Sequence, residues 1–563
     1  MRGLPSVTLC DRSFLQQRNG GYIMKRLAKR GWGRYGWLLL LLTVVALVMR
    51  ILGCFWGFPL QLHPDEPATV DYAIEMLSRH SWMAQSFDRP DHFEIKCDAI
   101  LFTLVSWLVY HQSAYVAFQS HAPVFYLVAR FFTALFGTAL IPMTALFTQS
   151  LLKGHDRRYK KTAALVAACG VGFLPVFMRY STLATPDVIL CFFALIFTWM
   201  IQQYLETGRN KFIYWAAVVI GICITIKYNG AILCLPLALA VIYRSVRERR
   251  FKDILQLGVG SVLLVIGTML VIAPNLFLDY KVVFANIVRE ARPNHLGADG
   301  LSFSGNLKFY LLDIADAFGI VTLPLALWGA VCILRERKQG SLCLLTGLIY
   351  WICMSVLKLH WSRWGIPMYP FYLILVGVAL ADLAQRASAL TKGRRVASGV
   401  VAAFTLALLC NAFLYGLCDT KALLVPDSRT LALSDFERMG ITAENSIYEG
   451  YTPFDPAGYL DKTDAFRETE NGIEPTQDNE GKAYFIMSDS FYGRYLAEPQ
   501  RYADKIAVYK SIARKYPVMY KLAPNGDRKA SKWILSNILD CLDYLRQHIT
   551  CGGSTITVYA LRQ

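Results

Sequence analysis

Residues 36–56, GWLLLLLTVVALVMRILGCFW, hold one charged side chain, Arg50. A helix rises about 1.5 Å per residue, so roughly 20 apolar residues cross the ~30 Å hydrocarbon core of a bilayer. Comparable runs lie at 128–152, 161–178, 186–204, 254–275, 312–334, 341–357, 364–384 and 397–417. The stretch 212–243 is too long for one crossing and is interrupted by Lys227, Tyr228 and Asn229, which divides it into two short helices. Lipid offers no partner to a backbone N–H or C=O, so a chain with about eleven such stretches is expected to be a polytopic α-helical membrane protein.

Charge sets the expected orientation. With the basic segment MKRLAKRGWGRYG inside, every second connection is rich in Lys and Arg: KGHDRRYKK (153–161), ETGRNK (206–211), RSVRERRFKD (244–253), RERKQG (335–340) and QRASALTKGRR (385–395). That is the pattern of cytoplasmic loops. It also accounts for the formal net charge of +17 without nucleic acid, since the basic residues form short clusters between apolar runs and not one basic face. The weaker apolar stretch 99–110 would break the alternation if it crossed, and reads as an amphipathic interfacial segment. No small-residue cleavage site follows the first run, which reads as a retained helix behind a basic cytoplasmic N-terminus, 1–35, in which Met24 is an alternative start.

The opposite side collects the polar sequences with chemical potential. It receives the loop 57–127 with HPDEP, the turn RYSTLATPD (179–187), the KYN break, the lid-like loop 276–311 with REARPNHLGADG, and KLHWSRW (358–364). Residues 36–417 form the transmembrane domain on this reading, and 418–563 an extracytoplasmic domain. The latter combines strand-like NSIYEGY (445–451) and KAYFIMS (482–488) with helical stretches near 428–439 and 531–547, which predicts a small α/β fold. The fourteen Cys lie mostly inside apolar runs without CxxC pairs. They read as packing residues, with Cys541 and Cys551 either free or paired in an oxidising compartment.

Several of these polar residues admit two readings. Asp65 and Glu66 are either the solvated start of a helix whose first turn holds Pro67, or an acid pair with different tasks, since neighbours point apart. Lys227 either snorkels to the interface or meets a phosphate at the depth of lipid headgroups. Asp187 either caps a helix or orients a sugar hydroxyl or cation. Arg289, Arg292 and His295 lie in a loop longer than a simple connection needs, and Lys358, His360 and Arg363 add cations at a helix start. Cations gathered beside carboxylates suit a phosphate leaving group with a nearby base. His63, His295 and His360 lack HxxxH or HExxH spacing, so no metal site is assigned.

HPDEP after the first span, ARFFTALFGTALIP (129–142), ATPDVIL (184–190), GICITIKYNGAIL (221–233) and the R-x-x-x-P-x-x-P pattern from Arg363 to Pro370 occur in an order that resembles the GT-C glycosyltransferases using polyprenyl-phosphate sugars. That group contains the protein O-mannosyltransferases and the lipid A aminoarabinose transferase, and the resemblance covers roughly 36–385. It implies inverting transfer of a sugar to an extracytoplasmic hydroxyl on a glycan, lipid or protein. It further implies Asp65 as general base with Glu66 beside it, and Lys227, Arg363, His295 and Arg292 at the donor phosphate. Asp187, His63 and Tyr228 would orient substrate. No cofactor is required, though acids beside a lipid phosphate can recruit a divalent cation. A multi-pass prokaryotic plasma-membrane protein is expected, with lipid and no nucleic acid among its partners. The competing class is a transporter or flippase, which would show paired halves and midplane charges; the sequence shows neither.

Overall fold

The computed structural model describes residues 33–83, 91–290, 292, 295, 301–458, 466–469, 472–476 and 481–562; Met24 and most of the basic N-terminus lie outside the described residues. Among these, eight helices are long and apolar enough to cross a membrane: Arg34–Gly53, Ala114–Leu151, Asp187–Thr207, Tyr228–Arg247, Phe251–Ile272, Gln339–Val356, Tyr369–Ala389 and Arg394–Leu424. A bent pair, Phe303–Phe318 with Thr322–Arg335, makes a ninth if counted as one span. The expected eleven is therefore corrected to eight or nine by length and composition. The remaining two stretches are helices of 17 and 16 residues, Arg157–Phe173 and Lys211–Ile226.

Local chemistry explains where the expected boundaries moved. Helix Arg157–Phe173 opens on Asp156, whose carboxylate accepts from the amides of Arg158 at 2.6 Å and Tyr159 at 2.9 Å. It stops where Pro175 has no N–H to give and holds Leu174 extended (φ −67°, ψ 144°), so the expected run 161–178 is two helices. The carbonyls this break leaves open are taken up by Arg50, which is wholly buried and donates to Gly172 O at 3.0 Å and Val171 O at 3.3 Å. The run expected at 128–152 begins earlier, at Ala114, because Ser113 accepts from the Val116 amide.

The expected straight span 312–334 is bent by 106°. Gly319 adopts φ +112°, open to glycine but strained for other residues, and an added Cβ would lie 2.6 Å from Ile534 Cγ1. The bend is thus a seat for the C-terminal helix Ile534–Arg546, and the Ile320 amide donates to Lys532 O at 3.0 Å. A continuous apolar run hides such a bend.

The C-terminal region is mixed α/β. Its four-stranded sheet has the order β1 (Ser446–Tyr448), β4 (Tyr484–Ser488), β6 (Ile556–Ala560), β5 (Val518–Leu522), with β1 and β4 parallel and the other pairs antiparallel. A hairpin, β2 (Phe466–Thr469) with β3 (Gly472–Pro475), stands apart. Strand periodicity sends Phe485 and Met487 to one face, with Phe491 and Ile512, and Ile486 to the other, with Phe436. The sheet is therefore covered on both faces. Cys541 packs against Cys418, its backbone carbonyl accepting from Cys418 Sγ at 3.5 Å, and of the two readings left open for Cys541 and Cys551 the structure has the unpaired one; all three are free thiols.

Candidate functional site

The first loop after helix Arg34–Gly53 carries its two acids to different places. Glu66 is wholly buried and bidentate with Arg130, each bond 2.7 Å, and it also accepts from the Ala184 amide at 3.0 Å. Arg130 is 2% exposed and gives its remaining bonds to Cys54 O and Trp56 O, each at 2.8 Å. Every nitrogen of Arg130 and both carboxylate oxygens of Glu66 are thus engaged inside the protein. Asp65, one residue earlier, instead faces a cavity of about 870 Å³ and pairs with Arg363. His63 accepts from the Asp65 amide through Nδ1 at 3.2 Å. Burial lowers the His63 pKa and so favours the neutral ring that can accept.

The broken helix supplies the second cation. Between Lys211–Ile226 and the 3₁₀ turn Tyr228–Leu233, Lys227 is extended (φ −159°, ψ 139°), and its ammonium reaches Asp187 Oδ1 at 2.6 Å. Asp187 stands in the first turn of helix Asp187–Thr207, where the helix dipole favours a carboxylate; its Oδ2 is buried and has no hydrogen-bond partner among the described residues. Arg363 belongs to the 3₁₀ turn Ser362–Gly365, its guanidinium 5.9 Å from the Trp361 ring centroid. Burial acts to lower the Arg363 pKa, but the Asp65 and Asp187 carboxylates outweigh it and hold the pKa above its ordinary value.

Both ion pairs border the same cavity, which Asp65, Lys227, Tyr228 and Arg363 line together with Arg289, Arg292 and His295; the stretch expected as a loop, 276–311, is corrected in part, since Arg289 stands in the helix Tyr280–Glu290. His295 meets Trp361 edge to face at 5.2 Å. Arg292 Nε is buried, and among the described residues it has no hydrogen-bond partner. His63, Glu66 and Asp187 are not on the cavity wall; they stand behind the residues that are. Of the expected set, six share one chamber and three support it.

Other residues of the site escaped the sequence reading. Asp71 lines the chamber, accepts from Tyr126 OH at 2.7 Å and has its pKa raised by burial. Asp91 lines it as well, and opens the helix His92–Val105 whose Glu94 and Asp98 are wholly buried. Burial raises both carboxyl pKa values well above the ordinary range, and for Glu94 the neighbouring acids Asp98, Asp91 and Asp187 add to it. Two signals could have pointed there. Asp91, Glu94 and Asp98 recur at helical spacing on one face, and Arg130 interrupts an apolar run, which is costly without a partner.

The arrangement can hold an anion between Lys227, Arg363 and Arg292 while a carboxylate stands beside it. Residues 120–276, which include Arg130, Asp187 and Lys227, match the family described as dolichyl-phosphate-mannose-protein mannosyltransferase. No curated protein matches the chain. Among solved structures, the archaeal oligosaccharyltransferase AglB from Archaeoglobus fulgidus, in complex with an inhibitory peptide and a dolichol-phosphate, is 12% identical with a TM-score of 0.52, covering 87% of this chain and 74% of its own. An Archaeoglobus fulgidus oligosaccharyltransferase in complex with Zn and sulfate gives 13%, 0.50, 88% and 73%. ArnT from Cupriavidus metallidurans bound to undecaprenyl phosphate gives 17%, 0.44, 83% and 95%. The segment 120–276 is thus similar to the dolichyl-phosphate-mannose-protein mannosyltransferase family, and the likeness to the archaeal oligosaccharyltransferase shows a shared fold.

Proposed function

We propose that the chain moves a sugar from a polyprenyl-phosphate donor to a hydroxyl on an extracytoplasmic glycan, lipid or protein, with inversion and with Asp65 as the general base. The observation that carries this reading is the pair of ready-made ion pairs, Asp65–Arg363 and Asp187–Lys227, bordering one chamber. In the reaction, an acceptor oxygen forms a bond to the anomeric carbon as the carbon–oxygen bond to phosphate breaks. The bonding electrons leave with the phosphate, and the acceptor's proton passes to Asp65. Charge therefore grows on the phosphate, where Lys227, Arg363 and Arg292 stabilise it without a general acid.

The same geometry couples donor binding to base release. An arriving phosphate competes with Asp65 for Arg363, so the carboxylate is freed when the donor is in place. Among the described residues no three His, Cys, Asp or Glu side chains gather to hold a metal ion; acids beside a lipid phosphate can recruit a divalent cation together with the donor. On this reading the N-terminus is cytoplasmic, residues 418–563 are extracytoplasmic and the membrane is a prokaryotic plasma membrane.

The test is transfer by purified protein from a panel of polyprenyl-phosphate sugars, wild type against Asp65→Asn. The expected result is turnover with one donor that falls at least about a hundredfold in the variant, the scale of a lost general base. Near-wild-type turnover in Asp65→Asn would remove Asp65 from the mechanism. Absence of both binding and turnover across the panel would favour transport.

A further inference from the structure

The loop that presents Asp65 is held by two arginines from distant parts of the chain. Arg130 fixes its ends, through Cys54 O, Trp56 O and Glu66. Its middle is fixed from the C-terminal region. Arg429 Nη1 donates to Leu62 O at 3.3 Å, three residues before Asp65, and the guanidinium lies 5.7 Å from the Trp56 ring centroid. The same Nη1 donates to Pro456 O at 2.7 Å, while Nε and Nη2 grip the Asp427 carboxylate at 2.8 and 2.9 Å. Asp427 also accepts from the Arg429 amide at 3.0 Å, at the start of helix Ser428–Met439.

This is more than adhesion between two parts of a chain. Arg429 is 6% exposed, Asp427 and Leu62 2% each, so the charges have been taken out of water, and a well-packed apolar contact would dock the two surfaces at lower cost. The buried guanidinium instead supplies direction. Its planar fork satisfies a carboxylate on one edge and two carbonyls on the other, a geometry lysine cannot reproduce. One of those carbonyls lies on the segment whose next residue, His63, accepts from the Asp65 amide.

We infer that Arg429 is a positioning residue for the transfer reaction, and that the C-terminal region completes the catalytic site by setting, through Arg429 and Leu62 O, where the Asp65 carboxylate stands. The inference rests on the reading of Asp65 as base. A misplacement of about 1 Å in a reacting group costs on the order of a hundredfold in rate, so a loosened loop reduces turnover without touching the donor cations.

The experiment uses the full chain with Arg429→Met and Arg429→Lys. It measures kcat and donor KM alongside amide hydrogen exchange. In both variants kcat should fall about ten- to a hundredfold with donor KM unchanged, and exchange should quicken at 60–66 while that of β4 and β6 stays slow. Exchange at 60–66 that does not change would overturn the tie itself. Quickened exchange with kcat within twofold of wild type, or a rise in donor KM alone, would overturn the positioning role. If Arg429→Met does not fold, Arg429→Lys, which keeps charge and length but not the fork, decides by the same readouts. Should wild type transfer from no donor, the transferase reading fails, whereas the exchange data still report on the Arg429 tie.

Discussion

At the scale of single residues, adjacent carboxylates separate by task because adjacent side chains point apart. Asp65 reaches the chamber and Glu66 the interior. Substitution should separate them in kind. Glu66→Gln leaves Arg130 buried and without its counter-charge, which costs about 3–5 kcal/mol; its expected signature is a large fall in the thermal midpoint of purified protein. Asp65→Asn breaks a pair that is partly exposed on both sides, 19% each, so its midpoint should stay close to wild type while turnover is lost. A stable Glu66→Gln protein would show that the Arg130 pair is dispensable. The sequence marks HPDEP as a candidate, but the division between its two acids is not legible there, since Arg130 lies 64 residues away from Glu66.

At the scale of elements, the helix His92–Val105 turns an acidic face inward. Neither oxygen of Asp98 has a hydrogen-bond partner among the described residues, and Glu94 Oε1 accepts only from Thr133 Oγ1, at 3.4 Å. Burial raises the folded-state pKa of both acids, so the native form holds on to protons the unfolded chain gives up. The stability linked to them is present in full below the unfolded carboxylate value of about 4 and falls as pH rises towards the folded value, by about 1.4 kcal/mol per pH unit for each proton so retained. Asp98→Asn stays neutral throughout. Its thermal midpoint should equal that of wild type near pH 4 and exceed it increasingly as pH rises above that. A difference independent of pH would show that Asp98 is not protonated in the fold. The sequence offers only 99–110 as an amphipathic segment, and the acidic face that precedes it, turned inward here, looks there like a solvated one.

At the scale of the molecule, the bundle and the C-terminal region are joined by polar contacts as well as by apolar packing. Lys421 caps helix Ile534–Arg546 through Tyr544 O at 3.0 Å, Leu545 O at 3.0 Å and Gln547 O at 2.7 Å. Asn537 donates to Asn411 at 2.8 Å and Arg528 pairs with Asp419 at 3.0 Å. Lys421→Met removes the charge that faces the open carbonyl end of the helix, worth about 1–2 kcal/mol in a partly buried setting. Limited proteolysis should then cut the tail more readily while the bundle stays intact; unchanged cleavage would assign the junction to packing alone. The sequence by itself determined the membrane-embedded helical class, the break at Lys227 and two strands of the tail, β1 and β4, because apolar run length and periodicity are local properties. Only the tertiary structure decided that the run 312–334 bends at Gly319, that Arg363 meets Asp65 and Lys227 meets Asp187, and that Arg429 reaches Leu62 O. Those pairings depend on which segments the packed bundle brings within a few ångströms of one another, and partners separated by 40, 298 and 367 positions leave no local trace in the order of residues.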